Sequence, residues 1–257
     1  MKIWYQSGLN FEKFKSYEKY LCEHIQSSAD PETEVEIHGT TRGGTGVEYR
    51  LTEYFFTREI LENALESEEQ NFDAFTIGTT NDAGLFQARE VLKIPVIGIT
   101  QSALLVASMM GRNFSLITPN EKMIPQFEEM IVKYGFKDKL AGIECTGFQI
   151  PELGKVFDNT ALKNKQLQGF TKAARKTIKE GAEVIIPVGG IASLFLAKSE
   201  VNQIDGVPVL DTISIVVKIT EMMVKLWKIT GTFVSRRLSF TSPPDDILKE
   251  LLSNYEI

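Results

Sequence analysis

DAFTIGTTNDAGLFQAREVLKIPVIGITQSALLVASMM, residues 73–110, and AEVIIPVGGIASLFLAKSEVNQIDGVPVLDTISIVVKITEMM, residues 182–223, decide the fold of this chain. Each segment runs through an apolar strand, a turn of small residues, a helix, a strand carrying (I/V)PV, and a second, apolar helix. The interval from turn to proline differs by about three residues, which a loop insertion absorbs. A strand–helix unit that recurs implies a parallel sheet with helices on its faces, and its duplication implies two such sheets. The expected fold is therefore α/β, with two pseudo-symmetric lobes and an active-site cleft between them. Both small-residue turns, Thr79–Asn81 and Gly189–Ile191, should lie at the carboxyl ends of their strands, where open α/β sheets take ligands.

The alternation extends in both directions. Strands are expected at Lys2–Gln6, Glu34–His38, Ala74–Gly78, Pro95–Ile99, Asn113–Thr118, Ala141–Cys145, Ala182–Val188 and Val207–Leu210. Phe11, Phe14, Tyr17, Leu21 and Ile25 recur at helical spacing. Further helices are expected near Tyr49–Leu65, Asp82–Leu92, Leu162–Glu180, Ile191–Lys198 and Ile213–Trp227. Pro119 suits the first turn of the helix after the fifth strand. The 213–227 helix is apolar nearly all round, which predicts burial between layers. Residues 1–112 with 213–257 are expected to form one lobe and 113–212 the other. Arg236-Arg237 and Pro243-Pro244 fall in a region read as a surface arm over the first lobe or a neighbouring subunit.

Composition narrows the function. A hydrophobic share of 43% and a charged share of 24% in 257 residues suit a globular protein large enough to hold its core without disulfide or metal. A net charge of -6 argues against nucleic-acid or membrane binding, which needs a basic face. No apolar run resembles a signal peptide or a membrane span, so a cytoplasmic location is expected. Cys22 and Cys145 are isolated, and with only two histidines no metal-ligand spacing occurs, so neither disulfide nor metal is expected. Gly43-Gly44-Thr45-Gly46 is not a dinucleotide fingerprint, because no strand feeds directly into it. No cofactor is expected. The partner is a small-molecule substrate, and a homo-oligomer is left open.

Asp73-Ala-Phe-Thr-Ile-Gly-Thr-Thr-Asn-Asp-Ala-Gly-Leu, followed by Ile94-Pro-Val-Ile-Gly-Ile, resembles the aspartate/glutamate/hydantoin racemase superfamily, and most its hydantoin racemase branch. Gly181-Ala-Glu-Val-Ile-Ile-Pro-Val-Gly-Gly and Gly206-Val-Pro-Val-Leu-Asp-Thr carry the second half, so the resemblance spans roughly residues 1–227. It implies a cofactor-independent isomerase or lyase. In this alignment the family's two active-site cysteines fall on Thr79 and Gly189. A threonine hydroxyl does not act as a thiolate does near neutral pH, and glycine has no side chain, so two-thiol racemisation is not expected. The related arylmalonate decarboxylases lack one of the two cysteines and use a threonine-rich turn as an oxyanion pocket.

Thr79, Thr80 and Asn81 supply donors to such a pocket, and Gly189, Gly190 and Ile191 permit close backbone approach. The same Thr79–Asp82 residues also suit capping of the helix that follows. A proton-handling group must come from elsewhere. His38, at a strand end, titrates near neutrality without help; Asp82 follows the first turn directly. Glu48 and Tyr49, which open the next helix, are further substrate-binding candidates. So is Asp211, although helix capping alone accounts for it. The expectation is an enzyme acting on a small carboxylate or cyclic amide through an enolate-like intermediate. Two alternatives stand beside it: a decarboxylase or hydrolase using the same oxyanion pocket, and a non-catalytic small-molecule binding protein.

Overall fold

The computed structural model describes residues 1–255. The first lobe runs β1 (Lys2–Gln6), α1 (Lys15–Ser28), β2 (Glu34–His38), α2 (Arg50–Glu69), β3 (Ala74–Ile77), α3 (Leu85–Val91), β4 (Val96–Gly98) and α4 (Ile99–Met110). The second runs β5 (Phe114–Thr118), α5 (Ile124–Lys133), β6 (Leu140–Cys145), α6 (Ile150–Leu153), α7 (Thr160–Lys179), β7 (Val184–Pro187) and α8 (Gly190–Lys198). A hairpin of β8 (Gln203–Ile204) and β9 (Val207–Pro208), then α9 (Thr212–Thr230) and α10 (Asp245–Asn254), follow.

The first sheet is parallel with order β2-β1-β3-β4. The second is parallel with order β6-β5-β7, and Val209 adds a parallel bridge to Ile185 at its β7 edge. Val209 thus stands to β7 as β4 stands to β3, where Phe75 pairs with Val96. Both lobes share one winding, and the sequence repeat is a structural repeat. β3 and β7 are buried along their whole length, as central parallel strands are, and Thr76, the polar residue of β3, shares a hydrogen bond with the Thr220 hydroxyl.

Two cores hold the sheets. A smaller one, around Trp4, Phe56, Ile60, Phe72, Phe75 and Leu92, lies under α2 and α3. The larger is continuous across both lobes: Tyr5, Tyr17, Leu21 and Ile25 from the first join Leu116, Phe127, Ile185 and Leu194 from the second. The helical stripe of α1 is therefore an inter-lobe wedge. Each large apolar side chain fully buried there contributes about 1.5–3 kcal/mol to folding.

Three local expectations are corrected. Pro119 lies outside any helix; the chain turns after β5, with the Thr118 hydroxyl donating to the Asn120 carbonyl, and Pro125 takes the first turn of α5. There its missing N–H is one the helix would leave unbonded anyway. α3 starts at Leu85 rather than at Asp82, because Asp82 and Gly84 both have positive φ (47° and 77°). α9 is buried on one side only, at Val216, Val217, Thr220 and Val224, while Met222, Leu226 and Ile229 are exposed on the other. The C-terminal arm does lie over the first lobe: Arg236 donates to the carbonyls of Arg89, Glu90 and Leu92 at the end of α3. Among the described residues, no helix is long and apolar enough to cross a membrane.

Candidate active site between the lobes

In each sheet the winding reverses between the first and third strand, β1/β3 in one lobe and β5/β7 in the other. Chains leaving such strands in opposite directions open a crevice at their carboxyl ends. The two crevices merge here into one cavity of about 100 Å³. Ser7 and Gly8 follow β1 into it, Gly78–Asn81 follow β3, Pro119 follows β5, and Gly189–Ile191 follow β7. Phe14 just before α1 and Tyr17 within it, Met123, Gln126 and Phe127 before and within α5, and Ile150 and Leu153 of α6 complete the walls.

The polar side of this cavity is the first turn. The N–H groups of Thr79, Thr80 and Asn81 have no acceptor among the described residues. The Thr79 hydroxyl is buried and likewise without a partner. A buried donor left open, as that hydroxyl is, costs about 1–3 kcal/mol unless something fills it. Across the cavity Gly189 is the N-cap of α8, with φ 108°. That conformation favours glycine, and a Cβ there would meet nothing closer than Ala192, at 3.8 Å. The start of α8 brings the positive end of a helix dipole to the same space.

A family model for Asp/Glu/hydantoin racemases matches residues 15–220, most of the chain. The chain belongs to the Asp/Glu/hydantoin racemase family. It is 27% identical to a hydantoin racemase of Pseudomonas sp. (strain NS671), over 80% of each chain. It is 29% identical to one from Rhizobium meliloti, over 80% of this chain and 78% of the other. In fold it is similar to allantoin racemase from Pseudomonas fluorescens, with TM-score 0.81, 23% identity and coverage of 95% of this chain and 97% of that one. Allantoin racemase from Klebsiella pneumoniae gives TM-score 0.78 at 23% identity, covering 95% and 94%.

Of the residues expected at the site of this family member, Thr79, Thr80, Asn81, Gly189, Gly190 and Ile191 share the one cavity. The others do not. His38, read as the proton carrier, stacks flat on Trp4 with ring centroids 3.4 Å apart. Burial there lowers its pKa, against a weaker opposing pull from Glu36. The indole attracts the ring to the α2 side of the sheet, away from the cavity lining. Asp82 turns away as well. Its carboxylate accepts the N–H of Thr100 (3.0 Å) and of Gln101 (2.9 Å) and the hydroxyl of Tyr134 (2.7 Å). It therefore caps α4 and ties α5 to the first lobe; burial pushes its pKa up to about 6 despite those three donors. Asp211 caps α9 through Ile213 and Ser214 and pairs with His24 at 2.7 Å, on an outer groove. Tyr49 is half exposed under Lys122, and Glu48 lines a separate outer basin.

Sequence reading missed Ser7, Gly8 and Tyr17. Ser7-Gly8 was detectable as a small-residue turn after a strand, the same signal that marked Thr79. Tyr17 was hidden inside the core stripe of α1, where it reads as packing. It is the one side chain with a titratable group among the cavity's lining residues. Burial pushes its hydroxyl far above the ordinary range, against a hydrogen bond with Ser7. Neither Cys22 nor Cys145 is among the lining residues. Among the described residues, no group of three or more His, Cys, Asp or Glu side chains is placed to hold a metal.

Proposed function

We propose that this chain is a cofactor-independent isomerase- or lyase-type enzyme acting on a small carboxylate or cyclic amide through an enolate-like intermediate, without two thiols. The carrying observation is the set of open donors at Thr79, Thr80 and Asn81, in the turn lining a cavity whose one titratable side chain, among the described residues, is Tyr17. Preorganised N–H and hydroxyl donors stabilise a developing oxyanion most where water is excluded. A phenol held in its protonated form by burial cannot take up a proton, and gives one up only to a strongly basic acceptor such as the α-carbon of an enolate. This favours the lyase branch, in which no base is needed. Cleavage of the bond to a carboxylate releases carbon dioxide and leaves its electron pair in an enolate held by the first turn. The Tyr17 hydroxyl then delivers a proton to the α-carbon, and solvent restores it through Ser7.

Among the described residues no carboxylate, imidazole or thiol lines the cavity, which also supports a second reading, a binding protein that keeps the family's cradle without its chemistry. One experiment separates the two. The chain is incubated in D₂O with α-substituted malonates and 5-substituted hydantoins, and carbon dioxide release and deuterium at the α-carbon are followed. The lyase reading expects release with single deuteration, reduced about 100-fold or more in Tyr17→Phe. Binding of these compounds without release or exchange would establish the second reading.

A further inference from the structure

Phe14 occupies a place that the proposed chemistry leaves unexplained. It is the N-cap residue of α1, with non-helical backbone (φ -127°, ψ 47°) and no side-chain cap. Its ring lines two separate spaces, the inner cavity and an outer basin of about 300 Å³. A Cβ placed on Gly44 would lie 2.3 Å from Cε2 of this ring, and one on Gly154 would lie 2.7 Å from Cε1. Opposite edges of the ring are thus seated against two glycines, one from each lobe. Gly44 also has a positive φ of 97°, so two constraints hold glycine at that position.

The two spaces differ in character. Around Phe14 the inner cavity is walled by Leu9, Val47, Ile150 and Leu153. The basin is lined by Lys13, Lys155 and Glu48 beside Thr45. Neither ammonium takes a hydrogen bond or salt bridge among the described residues, and Oε2 of Glu48 is buried without a partner. The basin therefore carries one excess positive charge directly outside an apolar wall one ring thick. An inner volume of about 100 Å³ is smaller than the roughly 150 Å³ that holds a benzene ring, so a longer ligand has to pass this wall.

We propose that Phe14 is the specificity-determining residue of the site, a partition that sets the length of the ligand and, when turned aside, admits a chain whose terminal carboxylate reaches Lys13 and Lys155. This rests on the inner cavity being the substrate site. With the ring seated, only a short substituent fits beside the Thr79 turn. With the ring turned out from between Gly44 and Gly154, cavity and basin form one channel.

The test is a binding series that needs no turnover. Straight-chain monocarboxylates from acetate to octanoate, and dicarboxylates of the same lengths, are titrated by calorimetry into the full chain, Phe14→Ala and Phe14→Leu, with melting temperatures confirming the fold. Phe14→Leu retains packing bulk but cannot span both glycines. Each methylene that fits should tighten binding about fourfold. The wild-type series should stop gaining at a short chain, and both variants should continue to longer ones. In Phe14→Ala, long dicarboxylates should bind roughly tenfold tighter than monocarboxylates, and adding Lys13→Gln with Lys155→Gln should abolish that difference. Superimposable length profiles in all three proteins would overturn the partition. A dicarboxylate series no tighter than the monocarboxylate series in Phe14→Ala would overturn the role of the basin. A length limit that moves with Phe14 in a protein that turns nothing over supports the partition while removing the catalytic reading.

Discussion

After β3 the chain makes an irregular turn and does not become helical until Leu85; after β7 it turns once, at Gly189, and is helical from Gly190. The equivalent helices α4 and α9 show where the difference comes from. α9 is capped by its own N-cap residue, Asp211. α4 has Gly98 in that position and is capped by Asp82, reaching over from the turn; a Cβ on Gly98 would fall 2.6 Å from the Asp82 carboxyl carbon. Borrowing the cap in the first lobe pulls the Thr79 turn out of helical geometry and leaves its N–H groups open. Keeping the cap local in the second lobe lets α8 start at once. Two copies of one topology have thereby become a donor-rich wall and a glycine-lined wall.

The strongest way to break this comparison is Asp82→Ala. It strands two N–H groups and the Tyr134 hydroxyl, so a loss of about 3 kcal/mol or more in denaturant stability is expected. Asp211→Ala should cost only about 1 kcal/mol, as for an ordinary cap. Equal losses at the two positions would end the argument. The caps should also differ in sign with pH. The Asp82 carboxyl, raised to about 6 by burial, binds its proton more tightly folded than unfolded, so its contribution declines as pH rises from about 4 to about 6. At Asp211 burial is outweighed by hydrogen bonds from His24 and Ser214, which lower the pKa. Its contribution is present above about pH 4 and is lost as pH falls through the depressed value. Stability curves of Asp82→Asn and Asp211→Asn against wild type between pH 3 and 7 read both slopes (about 4 being the carboxylate reference).

Thr79→Val tests the donor wall. The Thr79 hydroxyl has no partner within the protein, so the melting temperature should hold while turnover falls about 100-fold, the usual loss of one oxyanion donor. An unchanged rate would take the hydroxyl out of the chemistry. Gly189→Ala tests the glycine wall. Space is available, but the φ of 108° is not, so a loss of about 1 kcal/mol is expected without a steric clash. The smallest effect belongs to Cys22→Ser with Cys145→Ser, which should leave ligand binding and turnover unaltered; loss of turnover in a folded double variant would place a thiol in the mechanism.

Much of the architecture is legible in the sequence. β1 and β2 fall at the expected residues, and the paired turns meet in one cavity, because strand periodicity and small-residue punctuation are local properties. Local pattern failed where one residue had two structural uses. His38 carries the right chemistry for a proton carrier, yet a tryptophan on the neighbouring strand claims its ring. Asp82 stands in the right turn, yet a helix 18 residues further on claims its carboxylate. Tyr17 sits in a core stripe, yet its hydroxyl reaches the cavity between the lobes.

The sequence by itself determined that the chain would form two lobes with parallel sheets, and that the turns at 79–81 and 189–191 would meet at one cleft. Strand character and turn chemistry depend on neighbours along the chain, so a repeated pattern returns a repeated unit. Only the tertiary structure decided which polar groups stay open to a ligand and which are taken up as caps or ring stacks. Those choices are settled by side chains brought together from distant segments when α1 wedges between the lobes and Asp82 crosses to α4, contacts for which no local period carries a signal.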